Sequence, residues 1–162
     1  MGLSQLSPAE LARLDVGNKS FHFSCRIIAL CASLGIPVFI ENPQTSLLWQ
    51  APRFLSLARL PSFSSSVCHM CQYGTPWKKP TMIASWNGGS NTHLCAKCCP
   101  VSRVCSRSGK PHLVLSGRAP GGVHYTALAA AYPASFARAA AAQMVESAHA
   151  IQSRRLARLN GI

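Results

Sequence analysis

The sequence predicts an α/β fold: a helix, a buried strand and further helix and strand segments, followed by a Cys-rich loop insert and a closing C-terminal helix. Three observations carry that reading. Phe23, Ile27, Ile28, Leu30, Cys31 and Leu34 fall at helical spacing and are stopped by Gly35. Ile36-Pro37-Val38-Phe39-Ile40 is a short, continuous apolar run, the form taken by a strand buried on both faces of a parallel sheet. From about Tyr132 to Leu159 the chain is Ala-rich, with high helix propensity.

Taken in order, Ser7-Pro8-Ala9-Glu10 reads as a helix start, with Ser7 as N-cap, Pro8 at the first helical position and Glu10 completing a capping box. A second helix is expected from about Ser20 to Leu34. The strand Ile36–Ile40 then delivers Glu41, Asn42 and Pro43 to its carboxyl end, where open α/β sheets bind ligands. Ser46 to about Leu60 is expected as a helix lying across that edge. Pro61 to Ser66 reads as a Ser-rich linker. Val67–Tyr73 and Lys79–Trp86 are candidate strands joined through Gly74-Thr75-Pro76. Cys95 to His112 is basic and turn-rich. In the closing helix, Phe136, Ala140, Met144, Val145, Ala148, Ile151 and Leu156 form the expected buried stripe, and Arg154, Arg155 and Arg158 sit where the helix dipole favours cations. The resulting division is an N-terminal segment (1–20), an α/β core fragment (21–90), a Cys/His-rich insert (91–125) and the C-terminal helix (126–162).

At 162 residues the chain forms one domain with a real core, or a fragment of a larger one, and 48% apolar residues argue against disorder over most of its length. The formal net charge is +12, with only four acids: Glu10, Asp15, Glu41 and Glu146. That imbalance favours a polyanionic partner, most simply nucleic acid. The bland alternative is a basic protein whose charge does nothing specific; an anionic membrane surface is the weaker option. Met1 to Leu14 lacks the basic start and apolar core of a signal peptide, so an intracellular, reducing location is expected, nuclear in a eukaryote. The eight cysteines then point to metal more than to disulfides. Ile27 to Ile40, broken by Gly35 and Pro37, is too short to span a bilayer, and no membrane partner is expected.

Glu41 is the chemically informative acid. A carboxylate directly after a buried strand is costly unless paired, and burial raises its pKa, which suits a proton donor to a ring nitrogen. The alternative is a helix cap or a lysine partner. Lys78 and Lys79 follow the Gly/Pro turn; Trp49, Trp77 and Trp86 read first as packing residues, and Trp77, beside the two lysines, is the candidate for stacking on a nucleobase.

Phe39-Ile40-Glu41-Asn42-Pro43, followed by Ser46-Leu47-Leu48-Trp49, resembles the Glu-Asn motif of cytosine-C5 DNA methyltransferases, closest to the divergent branch of phages and mobile elements. Cys71-Gln72-Tyr73-Gly74, Pro76, Lys78-Lys79-Pro80-Thr81 and Trp86 resemble that branch's later basic motif. Ala129 to Phe136, with Tyr132-Pro133, is similar to the entry of its closing helix. The ordered set covers roughly Phe21 to Ala142. The resemblance implies part of a Rossmann-like methyltransferase sheet, DNA as partner and S-adenosylmethionine as cofactor. It implies a flipped cytosine contacted by Glu41, with Asn42 shaping the turn and Tyr73, Trp77, Lys78 and Lys79 holding nucleic acid. Met1 to Ser20 holds no glycine-rich cofactor turn, and no Pro-Cys pair precedes Glu41; Cys25 and Cys31 read as buried thiols. The chain is thus expected to be the C-terminal half of such an enzyme, inactive without a missing N-terminal half or partner chain.

Cys68-His69-Met70-Cys71 and Cys95-Ala96-Lys97-Cys98 are two C-x-x-C pairs, the sequence form of a structural zinc site. The resemblance puts Cys71 on a strand beside Tyr73, which favours instead Cys95, Cys98 (or Cys99), Cys105 and His112 as the zinc set. Scattered free thiols are the alternative. Three functions remain open from sequence: a methyltransferase-like fragment, a zinc-stabilised nucleic-acid-binding module without catalysis, and a non-functional mobile-element remnant.

Overall fold

The computed structural model describes residues 6–89, 94, 99–100 and 103–160. The element order is α1 (Pro8–Ser33), β1 (Val38–Pro43), α2 (Pro52–Ala58), β2 (Phe63–His69), β3 (Pro80–Trp86), α3 (Tyr125–Leu128) and α4 (Ala134–Leu159), with 3-10 turns at Leu47–Gln50 and Met70–Tyr73. Among the described residues the chain is therefore mixed α/β, with four helices and one three-stranded sheet. None of these helices is long and apolar enough to cross a membrane.

The sheet runs β1-β3-β2, and both pairings are antiparallel, where sequence predicted a parallel sheet. The expected α/β unit is half right. β1 and β2 do run in the same direction and are joined through α2, but they do not pair. A short connection after β2 returns the chain as β3, which pairs antiparallel as hairpins must and fills the slot between them. Val38 sits opposite Trp86 and Pro43 opposite Thr81 on one side of β3; Phe63 sits opposite Trp86 and His69 opposite Pro80 on the other.

Period-two alternation sorts the strands onto two faces. Val38, Ile40, Met82, Ala84 and Trp86 pack with Ile28, Trp49, Phe54 and Phe63 beneath α1 and α2. Phe54 meets Trp49 edge-on at 5.0 Å and Trp86 at 6.0 Å. The indole N–H of Trp86 donates to the Leu57 carbonyl at 2.9 Å, and that of Trp49 to Pro43 at 2.8 Å, so both buried rings satisfy their polar atom. On the opposite face, Phe39, Cys68 and Ile83 pack with Met70, Tyr73, Leu94 and Phe136. β3, covered on both faces, is buried at Thr81 and from Ile83 to Trp86.

Several expectations shift for local reasons. The Ser7 capping box forms, but α1 then runs uninterrupted from Pro8 to Ser33 across residue 20, with Gly17 an interior helical residue in open space. Gly35, at φ 67°, ends the helix as expected. The helix expected over 46–60 is split: Pro52 lacks an N–H and holds Ala51 extended, so a 3-10 turn precedes α2. The expected linker at 61–66 is the first half of β2, anchored by Phe63 against Phe54 and Trp86, with Ser64 hydroxyl 2.9 Å from that of Ser85 across the ladder. β2 stops at His69, short of the predicted Tyr73, and Gly74 at φ 103° closes the turn that follows. In α4 the buried stripe is Phe136, Gln143 and Ser147, whereas Met144, Val145 and Leu156 are exposed. Ser147 Oγ lies 2.6 Å from the Gly88 carbonyl oxygen and 2.7 Å from that of Gln143, so this polar contact rather than an apolar seam docks the middle of α4 on the sheet.

Candidate functional site

Two constellations stand out. The first is a cleft around Glu41. Alternation along β1 places Phe39 and Glu41 on the same face, and Glu41 sits opposite Ile83 in the ladder. A cavity of about 170 Å³ opens there between β1, β3 and α4, walled by Phe39, Ile83, Leu94, Phe136, Ala140 and Met144, with Glu41 as its acid. Burial pushes the Glu41 carboxyl above the ordinary carboxylate range, and the Lys79 ammonium pulls it partly back. A carboxyl group in apolar walls, held nearer to protonation, can both accept from an exocyclic amine and donate to a ring nitrogen.

The other residues expected from sequence are distributed as follows. Asn42 is half-buried within β1 opposite Met82, and the turn after the strand is held instead by backbone bonds from Gln44 to Pro80 at 3.0 Å and from Ser46 to Pro43 at 2.9 Å. Asn42 therefore lies in the ladder, not in the turn it was expected to shape. Lys79, in a left-handed conformation at φ 37°, donates to the Ala129 carbonyl at 2.8 Å and lies 5.2 Å from the Tyr132 ring centroid, a cation–π contact. Lys78 donates to the Pro100 carbonyl at 3.1 Å. Tyr73 is buried, its hydroxyl donating to Leu94 at 3.2 Å and its ring edge-on to Phe136 at 5.2 Å; it is a core residue with no face open to a base. Trp77 packs against the same core. Ser135 hydroxyl donates to the Tyr73 carbonyl and fastens the start of α4 to this turn.

The second constellation is a Cys/His cluster. Cys71, Cys99, Cys105 and His112 bring four ligand atoms within 4.8 Å of one another. Cys71 reaches it because β2 ends early: in the Met70–Tyr73 turn its thiol swings off the sheet, where sequence had put it on a strand. Cys99 is placed by His69, whose Nδ1 accepts its backbone N–H at 2.7 Å. Burial and then the Lys78 charge lower the His69 pKa, with the Cys99 hydrogen bond acting in the opposite direction. Cys105 and His112 come from one small hairpin: Cys105 N–H donates to Lys110, His112 N–H to Arg103, and Val104 bridges Pro111. Burial pushes the Cys71 thiol up to about 11. Cys105 is drawn down to about 6, chiefly by the Ser108 backbone N–H.

Of the ligands expected from sequence, Cys105, His112 and Cys99, the alternative to Cys98, are thus brought together, while Cys95 and Cys98 lie outside the described residues. The signal for Cys71 was present in the Cys68–Cys71 spacing, but its partner Cys68 is fully buried in the core instead. S-adenosylmethionine finds no corresponding fit. Among the described residues no strand passes through a glycine-rich turn into a helix: β1 enters a 3-10 turn and β2 turns back into β3. No protein-family model matches the chain, and no curated protein or solved structure shows significant similarity to it.

Proposed function

We propose that this chain is a DNA-binding module of the cytosine-methyltransferase-like kind, in which the Glu41 cleft receives a single nucleobase. The observation that carries the reading is the half-buried carboxyl at the end of an apolar cleft of about 170 Å³. A cavity of about 150 Å³ holds benzene, so a six-membered heterocycle is the right size of occupant. The base edge would meet Glu41, and the walls would meet its faces. Charge supports a polyanionic partner for the chain as a whole: between Glu41 and Glu146 the sequence carries ten lysines and arginines and no acid. Two co-directional strands flanking an antiparallel one are compatible with the edge of a doubly wound sheet, which supports a fragment of a Rossmann-like domain. On this reading, S-adenosylmethionine and the attacking thiol belong to a partner chain, and Glu41 binds and orients the base.

The test is a titration of duplex DNA carrying 2-aminopurine beside a cytosine, read by anisotropy and by 2-aminopurine fluorescence. Wild-type protein should bind in a salt-dependent way and brighten the probe as the base leaves the stack. Ala140→Trp, which fills the cleft, should bind with similar affinity but leave the probe dark. Equal brightening by both proteins, or binding indifferent to salt, overturns the proposal.

A further inference from the structure

We infer that Cys71, Cys99, Cys105 and His112 bind one Zn²⁺ in a closed tetrahedral site, and that this ion staples the basic insert to the β2–β3 turn. Zn–S bonds of about 2.3 Å and a Zn–N bond of about 2.0 Å put tetrahedral ligand atoms about 3.5–3.8 Å apart. The Cys99 Sγ to His112 Nε2 distance is already 3.6 Å, and all four donors lie within 4.8 Å. Closing the separations from at most 4.8 Å to those values asks the side chains to draw together by about 1 Å.

Ordinary core packing does not explain the cluster. Its buried members are three sulfurs, Cys71, Cys99 and Cys105, with no buried aliphatic or aromatic side chain among them. They stand apart from both apolar cores of the molecule. Polar donors also aim at these sulfurs. Gln72 Nε2 is 3.6 Å from Cys71 Sγ and 3.9 Å from Cys105 Sγ, and Ser106 N–H reaches Cys99 Sγ at 3.3 Å. Such donors to sulfur form the outer layer that orients thiolates on a metal.

The ligand chemistry selects the ion. Three thiolates and an imidazole suit zinc, whereas magnesium and calcium require oxygen ligands, and no acid lies in sequence between Glu41 and Glu146. Four protein ligands fill a tetrahedron, so the site is structural rather than catalytic. Binding displaces the thiol protons to solvent. The staple also meets a need: from Arg103 to His124 the described chain has two isolated β-bridges as its extended pairing and little buried apolar surface. The ion would hold Arg103, Arg107 and Lys110 on the hairpin beside the turn at Gly74, where the Arg107 guanidinium already lies.

The inference stands apart from the nucleic-acid reading, because its readout needs no DNA. The full chain, purified under reducing conditions, is analysed for metal and then reloaded with Co²⁺ as a spectroscopic probe. One zinc per chain is expected, together with the visible bands of tetrahedral cobalt and a charge-transfer intensity matching three thiolates. Cys71→Ser and Cys99→Ser should each lower zinc affinity at least tenfold. His112→Cys should keep the metal and raise the thiolate count to four, and Cys25→Ser should change nothing. The wild-type cobalt spectrum decides the matter even where a variant fails to fold. Absence of zinc, a disulfide within the cluster, or loss of metal on Cys95→Ser or Cys98→Ser with retention on Cys99→Ser overturns the assignment.

Discussion

Gly88 offers the sharpest test of how the sheet, α4 and the Glu41 cleft are coupled. A Cβ at this buried position would stand 2.8 Å from Phe39 Cζ, 3.0 Å from Phe39 Cε1 and 3.1 Å from Ser85 Cβ. Carbon atoms prefer about 3.5–4.0 Å, so all three contacts are too close, the nearest by about 0.7 Å. The backbone has little room to retreat, because the Gly88 carbonyl is held by Ser147 at 2.6 Å. Ser85 is fixed in β3, so the Phe39 ring must give, and that ring is a wall of the cleft. Overpacking of this kind costs about 1–3 kcal/mol. With a urea m-value of about 2 kcal/mol/M, Gly88→Ala should lower the unfolding midpoint by about 0.5–1.5 M with m unchanged. Phe39→Leu removes the two ring atoms in closest contact. In that background Gly88→Ala should cost less by about 1 kcal/mol or more, read as the coupling energy of a double-mutant cycle. A midpoint for Gly88→Ala within error of wild type, or equal cost in both backgrounds, refutes the packing argument.

Four further outcomes are expected. Glu41 has its folded-state pKa raised by burial, so its favourable contribution is complete below the unfolded carboxylate value and is lost as pH rises through the folded one; Glu41→Gln should abolish that acid-to-neutral fall in urea midpoint, and an unchanged pH profile counts against a buried carboxyl. Stripping the inferred zinc opens a loop of about forty residues between Cys71 and His112, worth ~4 kcal/mol by chain-entropy reasoning and roughly 8–16 °C in melting temperature; calorimetry with and without a chelator measures it. His69→Ala removes the acceptor that positions Cys99 and should weaken zinc binding about 10- to 100-fold in a competition titration while leaving the cobalt bands tetrahedral. DNA affinity should fall on a log–log salt plot with a slope of about −0.9 for each phosphate contacted, and Arg107→Ala should flatten that slope by about one such step in anisotropy titrations.

The elements that sequence revealed are those whose signals are local. Ser7 and Glu10 mark the start of α1 through a capping box that needs only four residues, and Gly35 marks its end through one backbone angle. What sequence missed depended on partners far along the chain. Ser64, Ser65 and Ser66 read as linker because their strand character comes from β3, twenty residues away, and from the Phe63 anchor. The parallel-sheet expectation failed because nothing in Ile36–Ile40 states which strand will lie beside it. Gln143 and Ser147 were passed over in α4 since their burial rests on the Gly88 carbonyl, not on apolar periodicity. For the cluster, Cys105, His112 and Cys99, the last as the alternative to Cys98, were legible from their closeness in sequence. Cys71 was not, because its role turns on β2 ending at His69 rather than at Tyr73.

The placement of β3 between β1 and β2 also imposes an order on folding. Among the described residues β1 has one partner, and that partner is made some forty residues later in the chain. The β2–β3 hairpin can form alone on the microsecond scale, whereas β1 must wait for it and then close the longer loop. During synthesis at about 5–20 residues per second, Val38-Phe39-Ile40 leaves the ribosome roughly 2–8 s before a strand exists to pair with it. For that interval the segment bearing Glu41 is a nascent apolar strand with both edges open, so the residue on which the cleft depends emerges on a segment able to pair with another chain.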